Sequence, residues 1–346
     1  MKAKTKKLIL KKNDKKTSTK PLKKQTVEEH REAVLEQGRK FKYPIQYSKH
    51  KILINALIVG GVAIGLFVLF SWWMLYQNQT LSDFYYTATR VIPIPVAFVD
   101  GEPVRYGDYM RRMRASIYYL EKQENRDFNN ENGEIELNYT RRFNMDESLR
   151  VAFATKIARE YDLIVTDSEI DANIEQTLIG DNGVKISQKA YETSLWRYYG
   201  WSIDDYREIV RQALLMRKAS FVIDDVAKKK INNIKSRIDG GADFAELAKT
   251  ESDDEVSRAK GGDVGSLNIT DFDSDGLVAA ALKLEVGGVS APIQGVDAWY
   301  VIKLTEKTNQ TVRFSLIRVS LTEFDKQLEQ LRTDGKIVEC IEIKKD

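Results

Sequence analysis

The chain of 346 residues is poor in the side chains that usually carry covalent or metal chemistry. It has one cysteine, Cys340, and two histidines, His30 and His50. A single thiol excludes an intrachain disulfide, and Cys340 is expected to be buried. Both histidines precede residue 52. The rest of the chain therefore lacks the base of a Ser-His-Asp or Cys-His site and the imidazoles of a histidine-bound zinc site. No cofactor and no metal is expected.

Charge is also missing from one stretch. Ile52 to Tyr76, ILINALIVGGVAIGLFVLFSWWMLY, holds no charged residue over 25 residues. As a helix this is roughly 37 Å long, against a hydrocarbon core of about 30 Å. Residues 1–51 hold 17 Lys/Arg against 5 Asp/Glu, and residues 52–346 hold 37 against 46. Positive charge stays on the cytoplasmic side. The expected arrangement is a single-pass cell-membrane protein with its N-terminus in the cytoplasm and its C-terminal part outside. Trp72, Trp73 and Tyr76 sit where interfacial anchors belong. A buried core helix and a cleaved signal peptide are the competing readings. The run is long for either, and Ser71-Trp72-Trp73-Met74 offers no small-x-small cleavage site.

What remains is large enough for one large or two ordinary domains. The basic tail, residues 1–50, reads as a topology determinant that also touches anionic lipid. No nucleic acid is expected as a partner. Thr26 and Glu29 propose a capping box for a juxtamembrane helix that Pro44 ends. Residues 51–76 are the transmembrane helix and 77–95 a linker or short helix.

From Val96 the pattern becomes strand, Asp100-Gly101 turn, strand. A helix opens at Asp108 with Tyr109, Met113 and Ile117 on one face. Residues 123–146 look like a surface excursion. Helices follow from 147 to 163, from the capping box Thr166–Glu169, from Ser187 to Tyr199, and from Ser202-Ile203-Asp204-Asp205. Residues 239–305 change character, to glycine-rich turns and β-branched runs. The fold class is α+β, with a helical domain over 96–238 and a small α/β domain over 239–346 that includes a C-terminal strand and helix.

Two resemblances attach to these segments. The hairpin and helix at Val96–Leu120, with the helix starts at Ile164 and Ser202, resemble the chaperone domain of the SurA/PrsA/PpiD type. Gly241-Ala242-Asp243-Phe244-Ala245-Glu246-Leu247-Ala248-Lys249, then Ser252-Asp253-Asp254 and Lys260-Gly261-Gly262-Asp263-Val264-Gly265, closely resembles the parvulin pattern GADFAELAKxxSDDxxSxxKGGDLGxF. Residues 282–293 and Trp299-Tyr300-Val301-Ile302-Lys303-Leu304 resemble that family's later strands. The resemblance implies a folding factor acting on unfolded or secreted polypeptides, with peptidyl-prolyl cis-trans isomerase activity. Such catalysis needs no covalent step, only an apolar proline pocket and a polar environment for the twisted amide.

The chain departs from the parvulin pattern at both histidines. The closing-strand position falls on Tyr300. The opening strand has no equivalent before Gly241, because Lys218–Ile223 runs straight into another helix. Val312-Arg313-Phe314-Ser315-Leu316-Ile317-Arg318-Val319 resembles the missing strand. Either the domain is circularly permuted, with Phe314 at the second histidine position, or this is an added strand on the sheet edge. The resemblance implies Asp254, Tyr300 and Phe314 as catalytic positions, and Phe272, Leu277 and Ser266 as substrate-binding ones. Trp196 and Trp201, flanking Gly200 among tyrosines, are the expected client contact of the helical domain. Three readings stand: a foldase with a weak isomerase site, a non-catalytic holdase on a degenerate parvulin fold, and an envelope-assembly adaptor.

Overall fold

The computed structural model describes residues 26–42, 44–179, 184–271 and 273–344. Residues 1–25 of the basic tail lie outside them. Two compact units divide at Phe70/Ser71.

The first unit contains α1 (Val27–Lys42) and most of α2 (Pro44–Trp72). The Thr26 backbone N–H donates to the Glu29 carboxylate, as the capping expectation requires. Among the described residues one helical stretch, His50–Gln77, is long and apolar enough to cross a membrane. Its side chains from Ile52 to Phe70 are almost all exposed, so no protein core explains their hydrophobicity.

The second unit starts with α3 (Asp83–Val91), β1 (Pro95–Val99) and β2 (Glu102–Arg105). Asp100 and Gly101 adopt φ of 47° and 84°, the left-handed values that the tight turn demands. α4 (Tyr106–Lys122) begins two residues before Asp108, which falls in its first turn. α5 (Glu131–Glu160) absorbs most of the expected surface excursion. Its polar N-terminal half conceals a helix started by the Asn130 cap, which accepts from the Gly133 N–H at 2.9 Å. α6 (Asp167–Thr177), α7 (Gln188–Tyr199) and α8 (Ile203–Ile223) start where the sequence places them, α6 and α8 with complete capping boxes.

Then follow α9 (Asp225–Asp239), α10 (Phe244–Glu251), α11 (Glu255–Arg258), β3 (Asp263–Asn268), α12 (Leu277–Ala281), β4 (Ile293–Gln294), β5 (Ala298–Lys307) and β6 (Thr311–Ser320). The chain closes with α13 (Glu323–Thr333) and β7 (Ile337–Glu339). β3, β6, β5 and β4 form an antiparallel sheet in that order. β6 is therefore an interior strand, and the edge-strand alternative is excluded. One face of this sheet, with Trp299, Val301, Ile317 and Val319, packs on Ile231 and Ile234 of α9 and Phe244 and Leu247 of α10. The other, with Tyr300, Ile302, Leu304, Phe314 and Leu316, packs on Leu277 and Val278 of α12.

Two expected boundaries shift. α9, assigned to the helical domain, packs on the four-stranded sheet. The C-terminal helix and strand, assigned to the parvulin-like domain, return to the helical part. Phe324 and Leu328 of α13, with Ile341 and Ile343, join the core of Tyr106, Met110 and Leu149, and β7 pairs with β1. The two crossings meet at Asp224, which is 1 % exposed. Its carboxylate accepts from the Ala227 N–H at 2.8 Å, capping α9, and from Thr322 N–H at 2.7 Å and Glu323 N–H at 3.1 Å where α13 begins. Cys340 follows β7 and is exposed, not buried. Its neighbours in sequence, Glu339 and Ile341, are the ones turned inward.

Candidate functional site

Two short segments are held against β6, whose Arg318 lies beside Tyr300. Ser252, after α10, accepts from the Arg318 N–H at 3.1 Å through its hydroxyl. Asp253 donates its N–H to the Arg318 carbonyl and accepts from the Ser320 N–H, both at 2.8 Å. The turn at Gly261-Gly262 brings the chain back, and the Leu316 N–H donates to the Gly262 carbonyl at 2.8 Å. Gly262 has φ of 86°, and a β-carbon there would run into the Leu316 backbone. Only glycine permits that approach.

Tyr300 stands at the centre, 5 % exposed. Its hydroxyl donates to the Asp275 carboxylate at 3.1 Å and accepts from Arg318 Nε at 3.2 Å. Arg318 also donates to the Ser320 hydroxyl at 2.9 Å and to the Asp297 carboxylate at 2.8 Å. Burial, with the Asp275 charge adding to it and Arg318 opposing, pushes the Tyr300 phenol up to about 12. It therefore stays a neutral O–H at any physiological pH. Arg318 remains a cation: burial opposes its charge, but Asp297 and Tyr300 more than compensate. The result is a polar cluster set in an apolar face, with the Arg318 cation beside the Tyr300 phenol.

The expected site residues separate. The register pairs Tyr300 with Arg318 and Phe314 with Leu304, so Phe314 is not the cross-strand neighbour of Tyr300. Phe314 is 1 % exposed and belongs to the core. Leu277 is also buried, in the wall that α12 presents. Asp254 is half-buried, and its carboxylate caps α11, accepting from the Ser257 N–H at 2.8 Å and the Ser257 hydroxyl at 2.5 Å. Ser266 is exposed on the edge strand β3, opposite Arg313. Phe272 lies outside the described residues. Asp275 and Arg318 were not singled out from the sequence. Arg318 lies in the recognised strand run, but only the β5–β6 register puts it beside Tyr300.

The helical part carries a second constellation. Tyr119 of α4 stacks on Tyr199 of α7, with centroids 5.9 Å apart and planes at 18°. Tyr199 continues to Trp201 at 5.0 Å and Trp201 to Tyr206 at 6.3 Å. Gly200, at φ of 66°, ends α7 in the left-handed turn that lets the chain double back between them. With Tyr139 and Phe143 of α5, both largely exposed, Tyr119, Tyr199 and Trp201 border a groove of about 290 Å³. Trp201 is part of the groove. Trp196 is 63 % exposed and lies outside its lining.

A mostly helical part joined to a four-stranded antiparallel sheet with a tight Gly-Gly loop defines the class: a parvulin-type domain set within a helical carrier. Comparison with known proteins identifies the family. Residues 46–220 match the SurA-like N-terminal domain and residues 219–306 the PPIC-type PPIase domain. The first match covers half of the chain, and the chain belongs to that family, as a SurA/PrsA-type parvulin chaperone in its domain composition. Foldase protein PrsA of Clostridium kluyveri is 31 % identical over 172 residues, 49 % of this chain and 44 % of that protein. PrsA of Clostridium acetobutylicum is 24 % identical over 69 % of this chain and 75 % of its own. Chaperone SurA of Methylobacillus flagellatus is 37 % identical over 28 % of this chain and 22 % of its own. The chain thus spans less than half the length of the first of these relatives. The isomerase match ends at Glu306, before β6 begins.

Proposed function

We propose that this chain is a membrane-anchored folding factor that works outside the cytoplasm on unfolded or secreted polypeptides. The apolar helix around residues 52–76 anchors it, with lipid as a partner there and along the basic tail. The charge split between the flanks argues for a cytoplasmic N-terminus. Its working parts are a helical holding domain, built from residues up to 223 together with those after 320, and an isomerase domain over 224–320. The latter is read as a circular permutation, with β6 standing in for the family's opening strand.

The isomerase domain acts weakly on X-Pro bonds. The observation that carries this is the Arg318–Tyr300 pair at the centre of the sheet. A fixed cation and phenol give a preorganised polar floor for the amide as it twists, with Leu277 as an apolar wall. Asp254 contributes through the fold of the 252–262 loop. Loss of both histidines keeps the rate low.

A second reading, a holdase without catalysis, is favoured by the use of the Asp254 carboxylate as a helix cap and by the burial of Phe314. An isomerase assay on an X-Pro peptide, read by protease coupling or NMR exchange, separates the two. The expected outcome is a modest acceleration that falls about tenfold in Arg318→Met, roughly the loss of one charge-assisted contact. No acceleration, with suppressed aggregation of an unfolded client, would leave the holdase. Neither activity would refute both.

A further inference from the structure

Two adjacent arginines on α4 have opposite fates. Arg111 is neutralised: Nη1 donates to Asp108 at 2.8 Å and Nε to Asp205 at 3.4 Å. Arg112 has no carboxylate within ion-pairing distance among the described residues. Its one hydrogen bond is from Nη2 to the neutral Gln212 side-chain carbonyl at 2.6 Å. Its Nε is buried without a partner. Burial lowers its pKa, and the more distant carboxylates of Glu147, Asp108 and Glu208 do not restore it. The indole Nε1 of Trp201 is a second buried donor without a partner.

Both residues line the aromatic groove between α4, α5 and α7. Buried donors without acceptors are uncommon, and a largely buried cation without a direct ion pair more so. The missing complement is an anionic acceptor. The other polar groups of the lining are already engaged: Ser116 and Asn144 bond each other, Asn144 also donates to the Thr140 carbonyl, and the Thr140 hydroxyl donates to the Glu136 carbonyl. The remainder is apolar or aromatic, with Tyr119, Phe143 and Tyr199 positioned to take a ring. The cavity has room for side chains of an extended segment, not for a folded partner.

We propose that this groove binds unfolded polypeptide at sites where an aspartate or glutamate adjoins an aromatic residue, the carboxylate meeting Arg112 and Trp201 and the ring stacking on the tyrosines. The proposal rests on the holding function assigned to the helical part and adds chemical selectivity to it.

The test uses the full chain in nanodiscs and three fluorescein-labelled peptides, identical except for Asp, Asn or Lys beside a single Phe, read by anisotropy. The Asp peptide should bind about tenfold more tightly than the Asn peptide, as expected for one charge-assisted contact, and the Lys peptide most weakly. Arg112→Gln should erase the Asp–Asn difference. Arg112→Lys should keep part of the difference, and thermal melts of both variants check that the fold survives. Equal binding of the Asp and Asn peptides by the unmodified chain, or a difference that survives Arg112→Gln, would overturn the selectivity and leave the holding function standing. No binding of any peptide, with no suppression of client aggregation, would overturn both.

Discussion

Asp224 shows how much one buried carboxylate can organise. It satisfies three backbone donors, at Ala227, Thr322 and Glu323, at the place where the chain leaves the helical part and where it returns. Asp224→Ala strands these donors with little water nearby. The expected loss is about 2 kcal/mol or more, seen as a lower denaturation midpoint, with Asp224→Asn recovering part of it. Tyr300 carries the pH prediction. Its folded pKa, about 12, is raised above the unfolded value of about 10. Its contribution is therefore fully present below about pH 10 and fades as pH rises toward the folded value. No histidine follows His50. Any isomerase rate should accordingly be flat from about pH 6 to 9, and a midpoint near 6.5 in the rate profile would contradict this site.

Among the elements, β6 decides the architecture of the sheet. It lies between β3 and β5, pairs with both, and is gripped at one end by Ser252 and Asp253. The Gly261-Gly262 turn is shaped around it. Gly262→Ala forces a side chain onto a left-handed backbone that also touches Leu316. A loss of at least about 2 kcal/mol is expected, with peptide binding in the helical groove retained. Denaturation followed by a probe in each part checks both halves of that statement. α5 teaches a different lesson. Its first half carries Asn132, Asn138 and Asn144, a residue type that favours caps and turns, yet it is helical because its later residues Met145, Leu149 and Phe153 bury against the core.

At the scale of the molecule, Ser71–Asp346 is one contact unit with an isomerase-like insert. The helical part is finished only by the last residues of the chain, since Ile341 and Ile343 are in its core. Cys340 beside them is exposed and is the chain's only thiol, which makes it a reporter of sidedness. A membrane-impermeant maleimide should label it in cells whose cytoplasmic membrane is intact. Protection until that membrane is broken would reverse the proposed orientation.

Much of the fold was legible in local sequence. The charge-free run, the Asp100-Gly101 hairpin, the boxes at Thr166 and Ser202, and the parvulin-like stretch from Gly241 are short-range patterns. Their causes, a φ value, a cap or a helical period, lie within a few residues. The site was only half legible. Tyr300 was found from its strand, but its partners Arg318 and Asp275 come from other segments, and a shift of register would have paired it elsewhere. Arg112 and Trp201 share a groove although 89 positions separate them in number. The return of α13 and β7 to the helical part, and the exposure of Cys340, were likewise settled by packing between distant segments. Sequence by itself determined the elements and the family, because those follow from local stereochemistry and hydrophobic period. Only the tertiary structure decided which charges are paired and which are left waiting, because pairing depends on register and burial across the whole chain.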